Sequence, residues 1–291
     1  MARLPTFVIV GAQKCGTSTL AAWLRAHPEV FFSERKELHF FSGEENWARG
    51  VDWYASHFED APAVGEATPH YMNFPEAVDR MAAVLPEARL IVCVRDPVER
   101  AYSSYRHMFF RRASERRTFR RAIEDELAEE RGLPEPGRCD YAELRYLVQG
   151  RYLEQIEMLL GRFAREQVHV LLLDDMEADP RATFDAVCRF LGIAPGFRPP
   201  EGWQVANAHR VLRPVALWRF MLRHRVFDRL PGPVSRFVAL RVFRRDAAPA
   251  DPIDPDLRAR MADYFAVPNA RLGEWLGRDL SAWGTRAAVP R

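Results

Sequence analysis

The chain has 291 residues, 48% hydrophobic, 28% charged and 12% aromatic, with no tract dominated by a few residue types; this excludes a disordered or collagen-like polymer and fits one large α/β domain or two small ones. Four cysteines (Cys15, Cys93, Cys139, Cys188) lie far apart with no CxxC pair, so neither a zinc site nor a disulfide framework is indicated and a reducing compartment is the default. The net charge is only +2, yet of 42 cationic residues just two, Lys14 and Lys36, are lysines; in so arginine-rich a chain, lysine persists by chance or where a compact, mobile ammonium is required.

Thr6 to Val10 is a short apolar, β-rich run ending in Gly11, and from Thr17 a helical pattern continues to a stop near Pro28, which gives strand, loop, helix. The apolar start is too short for a signal-peptide core, and no run approaches the ~18 apolar residues of a membrane span, so a cytoplasmic, unspanned protein is expected. Further buried strands are expected at Ala63 to Glu66, Leu90 to Val94 and Val168 to Leu173, with helices at Pro75 to Leu85, Pro97 to Arg112, Arg151 to Arg165 and Asp179 to Leu191. Strands alternating with helices imply a parallel sheet covered on both faces, with ligands at the carboxyl ends of its strands, here just after Val10, Val94 and Glu66.

Beyond Gly192 the strand signal stops. Arg210 to Arg245 holds ten Arg against one acid, Asp228, among apolar residues; this is a cationic surface for an anionic acceptor or a membrane face, or else a solvated helix pair. Asp256 to Trp283 reads as helical again. No repeat or linker divides the chain, so a single domain over residues 1–291 is expected, with a core over 1–195 and a mainly helical part over 205–285.

Three segments carry chemistry. Gly11 to Thr19 (GAQKCGTST) lies between strand and helix, where backbone N–H groups and the helix dipole favour a phosphate, although a tight glycine turn is the plainer alternative. The nucleotide-triphosphate version of such a loop puts Lys directly after the second glycine; here Gly16 is followed by Thr17, and the lysine stands at position 14. The second segment, Ser33 to Phe41, contains Lys36, Glu37 and His39. In an extended segment Glu37 and His39 share a face and suit a general base with its helper, while Lys36 points elsewhere; ordinary surface charges are the alternative. In the third, Leu90 to His107, Arg95 ends a strand and Ser103 follows on a helix, an arrangement able to clamp a second phosphate, with Asp96 as helix N-cap. Asp174 and Asp175 either cap the next segment or hold magnesium as in a nucleotide triphosphatase, and the missing P-loop lysine favours capping.

Together these segments resemble the sulfotransferases that use 3′-phosphoadenosine 5′-phosphosulfate. GAQKCGTSTL is similar to that family's 5′-phosphosulfate loop, KELHFF to the catalytic segment of its carbohydrate and heparan branch, and RDPVERAYSSY to its 3′-phosphate strand and helix; GEATPHY, FLGI and GRDLSAW extend the likeness over most of the chain. The resemblance implies a nucleotide-kinase-like parallel sheet and a reaction that needs no metal. It assigns Lys14 to the departing bridging oxygen, the loop residues Cys15, Gly16, Thr17, Ser18 and Thr19 to the 5′-phosphate, and Arg95 with Ser103 to the 3′-phosphate. Glu37 becomes the base, His39 its neighbour and Lys36 a cation near the transferring group. The donor's product would be adenosine 3′,5′-bisphosphate, and the acceptor a metabolite, lipid or glycan rather than a nucleic acid. Animal heparan-modifying members tend to carry Lys where this chain has Ala67, which argues against a heparan-type acceptor. A magnesium-dependent kinase and a non-catalytic anion-binding adaptor are the competing readings; the first leaves the shifted lysine unexplained, the second leaves Glu37 and His39 without work.

Overall fold

In a computed structural model, residues 3–112, 115, 117–129, 145–204, 210–212, 244–246 and 252–285 are described. The chain opens with β1 (Phe7–Gly11), α1 (Thr17–Ala26), β2 (Val30–Phe32), α2 (Glu44–Trp47), α3 (Gly50–Ala55), β3 (Ala63–Ala67), α4 (Pro75–Val84), β4 (Arg89–Val94) and α5 (Pro97–Arg106). It continues with α6 (Phe119–Glu129), α7 (Tyr152–Leu160), β5 (Val168–Leu172), α8 (Leu173–Ala178), α9 (Pro180–Leu191), the short β6 (Arg210–Leu212) and β7 (Arg244–Asp246), and α10 (Pro255–Leu276).

β1 to β5 form one sheet in the order β2-β3-β1-β4-β5, every pair parallel. Each residue of β1 and β3 is buried, as expected for strands covered on both faces, which is why they read as continuous apolar runs rather than alternating ones. The connection leaving β1 runs toward β2 and the one leaving β4 runs the opposite way to β5. Between these two strands lies the crevice where open α/β sheets take their ligands, and the loops that open onto it are the two singled out as phosphate binders.

The four long strands fall where the sequence puts them. β2 and the short helices α2 and α3 do not follow from it, because segments of three to six residues carry too little periodicity to register. The helix expected over Arg151 to Arg165 covers only Tyr152–Leu160 and ends at Gly161. Pro97 to Arg112 is helical throughout, but its last part, His107–Arg112, is a π-helix. The expectation of no strands beyond Gly192 is corrected by β6 and β7, which pair antiparallel. Most of the basic stretch between them lies outside the described residues. α10 packs on both parts of the core: Leu257, Met261 and Phe265 cluster with Val98 and Ala101 of α5, while Leu272, and Leu280 and Trp283 just beyond the helix, join the main core.

Candidate active site

The loop after β1 is fixed from both sides. Ala12 N–H donates to Cys93 O on β4 at 2.8 Å, and Gly16, the N-cap of α1, has φ +88°. A side chain there would be strained by that conformation, and its Cβ, 2.8 Å from Leu173 Cδ1, would have to push that methyl aside. Lys14 also occupies the left-handed region, at φ 71°. No side chain caps α1 and no acid stands in its first turn, which leaves its positive end to an external anion. Within the loop some donors are already engaged: Cys15 N–H donates to Ala12 O at 3.3 Å and Thr19 N–H to Gly16 O at 2.9 Å. Thr17 and Thr19 are buried and Ser18 is half-buried. Cys15 lies fully beneath the loop, its thiol pushed up by burial despite the nearby Arg100, Tyr152, Arg95 and Lys14, so it serves packing rather than nucleophilic chemistry.

The segment after β2 folds over this loop. Its backbone is not extended, since His39 has φ 51°, yet the expected meeting occurs: His39 Nε2 stands 3.3 Å from Glu37 Oε2. Lys36 does not point elsewhere as expected. Its ammonium donates to Ser18 Oγ at 2.9 Å and lies 3.7 Å from Glu37 Oε1, so this segment and the glycine loop after β1 are joined through one lysine. A further imidazole, His70, was not singled out in the sequence; its Nδ1 lies 3.7 Å from Glu37 Oε2. Burial alone would raise the Glu37 pKa, but the His39 hydrogen bond and the charges of His70, Lys36 and His39 outweigh it and hold the carboxyl at about 2. Lys36 is shifted down by burial, partly offset by Glu37.

A buried carboxylate beneath sets this geometry. Glu66 of β3 accepts from Tyr54 Oη at 2.8 Å, Thr68 Oγ1 at 2.7 Å and Tyr71 Oη at 3.0 Å. Two of those hydroxyls in turn accept from the catalytic segment, Tyr71 from Phe40 N–H at 2.9 Å and Thr68 from His39 N–H at 3.4 Å. The His39 backbone is thereby tied to the sheet through a network whose members are all satisfied. Burial pushes the Glu66 pKa up, against the pull of its three hydroxyl donors. Glu66 and His70 both belong to GEATPHY, so the signal lay in the sequence, as a buried polar pattern rather than as a spacing of charged residues.

On the other side of the crevice, Arg95 follows β4 and its Nη1 donates to Lys14 O at 3.3 Å, while Tyr152 Oη donates to Arg95 O at 2.9 Å. Ser103 lies on α5, 7% exposed. Asp96 caps α5 as expected, accepting from Val98 N–H at 2.8 Å, and also accepts from Gly284 N–H at 2.7 Å. Asp174 and Asp175 are neither caps nor a free acidic pair. They stand in the first turn of α8, where acids complement the dipole; Asp175 takes a bidentate pair from Arg278 at 2.8 Å and 2.8 Å, and Asp174 accepts from Trp283 at 3.4 Å. The GRDLSAW segment is what they hold in place. Among the described residues no helix is long and apolar enough to cross a membrane.

Known proteins resemble this chain in sequence and in fold. A family model described as the sulfotransferase domain matches residues 4–208. The chain is 28% identical to a sulfotransferase from Alicyclobacillus acidocaldarius of known structure, with a TM-score of 0.67 over 97% of this chain and 99% of that one. It is 27% identical over 97% of its length to the human bifunctional heparan sulfate N-deacetylase/N-sulfotransferase 3, and 40% identical over 35% of its length to the membrane-associated sulfotransferase kil1 of Dictyostelium discoideum. It spans only 31% and 22%, respectively, of those two relatives. The glycine loop after β1, the strand-end arginine and the lysine-bridged segment after β2 thus stand in a chain that belongs to the sulfotransferase domain family, whose donor is 3′-phosphoadenosine 5′-phosphosulfate.

Proposed function

We propose that the protein transfers a sulfuryl group from 3′-phosphoadenosine 5′-phosphosulfate to a hydroxyl or amine of a metabolite, lipid or glycan by in-line displacement. The acceptor's lone pair attacks sulfur, the bond from sulfur to the oxygen it shares with the 5′-phosphate breaks, and the acceptor proton passes to Glu37. Adenosine 3′,5′-bisphosphate then leaves. Charge builds on the departing oxygen in a loose transition state, so positioned cations and amides do most of the work. Lys14 meets that oxygen. The Gly16 and Thr17 amides at the start of α1, with the Ser18 hydroxyl, hold the 5′-phosphate, and Arg95 with Ser103 holds the 3′-phosphate. Lys36 faces the transferring group, its contact with Ser18 replaced by the donor's oxygens.

The single observation that carries this reading is the Lys36 ammonium set between Ser18 and Glu37, because it puts the donor's anionic end and the candidate base within one side chain's reach. A carboxyl held at about 2 is ionised at neutral pH but only weakly basic, so its use as a base relies on position, and His39 at 3.3 Å offers the proton a second stop. A kinase reading loses support because Asp175 is occupied by Arg278. Free thiols at Cys15, Cys93 and Cys188 suit a cytoplasmic setting, and the basic stretch from Arg210 to Arg245 suits an anionic acceptor or a membrane surface that presents one. The test is transfer of radiolabelled sulfate from the donor to panels of phenols, lipids, amino sugars and glycans with a chelator present. Label in an acceptor that disappears on removal of the donor supports the reading; transfer of a labelled ATP γ-phosphate instead would sink it.

A further inference from the structure

Glu37 is approached on one oxygen by a lysine and on the other by two imidazoles. One donor atom from each of Glu37, His39 and His70 lies within 4.8 Å of the others, and Glu37 Oε2 stands 3.3 Å from His39 Nε2 and 3.7 Å from His70 Nδ1. In a tetrahedral zinc site with bonds of about 2.0–2.1 Å, neighbouring ligand atoms stand about 3.4 Å apart. The two edges that meet at Glu37 are therefore near the spacing that one cation would impose. They come from two segments, the loop after β2 and the turn after β3, and both segments are tied to Glu66. The side chains are 24%, 31% and 7% exposed, so the triangle opens on the site with its deepest corner at His70. Two imidazoles and a carboxylate suit zinc, cobalt, nickel or copper rather than magnesium, which prefers an all-oxygen shell. Lys36 sits on the other oxygen, Oε1.

We propose that Glu37, His39 and His70 form a three-ligand site for a zinc-class divalent cation, and that occupancy of this site blocks sulfuryl transfer. The blocking step follows from electron-pair accounting: an Oε2 lone pair donated to the metal is no longer available for the acceptor's proton, and a metal on His39 removes the second stop. That half rests on the reading of Glu37 as base, whereas binding can be measured without turnover. Such a cation acts as an inhibitor, so activity should survive chelation and fall on zinc addition.

The experiment titrates ZnCl2 into metal-free protein by calorimetry, for the wild type and for Glu37→Gln, His70→Ala and His57→Ala. The expected result is one zinc per chain, weakened at least ~10-fold in Glu37→Gln and His70→Ala and unchanged in His57→Ala. Cobalt added to the wild-type protein should give the intense visible bands of a low-coordinate site; this measurement needs no variant and stands even if His70→Ala fails to fold. Equal zinc affinity in all four proteins, no saturable binding at large excess, or only the pale spectrum of octahedral cobalt would overturn the site. Should zinc bind as expected while labelled-sulfate transfer proceeds at an undiminished rate, the blocking role is wrong. Should zinc bind while no acceptor is ever sulfated, the functional reading fails and the metal site remains.

Discussion

Replacing Glu37 by Gln keeps the shape of the side chain and removes its basicity and charge. The fall of its pKa from 4.5 to about 2 corresponds to about 3 kcal/mol of net attraction between the carboxylate and the cations around it. Because the folded-state value is depressed, that stability is present above pH 4.5 and is lost as pH falls through about 2. The variant should accordingly be less stable than wild type by up to about 3 kcal/mol at about pH 5, where imidazoles as well as the lysine carry charge, and the gap should close in strong acid. Catalysis should suffer separately: loss of a positioned base costs ~10²–10⁴-fold in turnover, about 3–5 kcal/mol of barrier. Melting curves first establish that Glu37→Gln is folded at the assay temperature; single-turnover measurement with saturating donor then gives the chemical step. A Glu37 base also predicts a wild-type rate with no acidic limb from pH 5 upward, whereas an imidazole base would produce one near pH 6–7. Retention of more than about a tenth of wild-type turnover, with chemistry rate-limiting, would refute Glu37 as the base.

Lys36→Met should lower turnover by ~10²–10³, the scale of one preorganised donor aimed at developing charge, measured as kcat at saturating donor. Glu66→Leu leaves the hydroxyls of Tyr54, Thr68 and Tyr71 without their shared acceptor and should cost at least ~3 kcal/mol in urea unfolding, while Tyr54→Phe should cost about 1 kcal/mol; equal losses would contradict the network. Reversing the charge of Arg219, Arg223 and Arg225, which lie outside the described residues, should raise the acceptor KM and flatten its salt dependence; an unchanged KM removes the basic stretch from acceptor binding.

The glycine loop was legible because glycine, a shifted lysine and a following helix are local features, and β1 and β4 because parallel strands buried on both faces read as apolar runs. Asp96 was readable for the same reason, a cap followed at once by Pro97. Lys36 was misjudged: alternation along an extended segment turned it away from Glu37, whereas the irregular loop with His39 in the left-handed region brings the lysine to Ser18. His70 acts through a contact 33 positions away, and Glu66 through Thr68 and Tyr71, whose partners His39 and Phe40 lie 29 and 31 positions from them; no local spacing announces such contacts. Asp174 and Asp175 found partners in a segment about a hundred residues further on, which only the docking of the C-terminal helix determines.

The central claim, a donor site built from two phosphate clamps without a metal, is tested most directly by calorimetric titration of adenosine 3′,5′-bisphosphate in the presence of a chelator. Binding is expected to persist under chelation, to exceed that of adenosine 5′-monophosphate, and to weaken by ~1.5–3 kcal/mol in Arg95→Ala, the scale of a charged hydrogen bond. Loss of binding under chelation, or equal affinity for the two nucleotides, would contradict it.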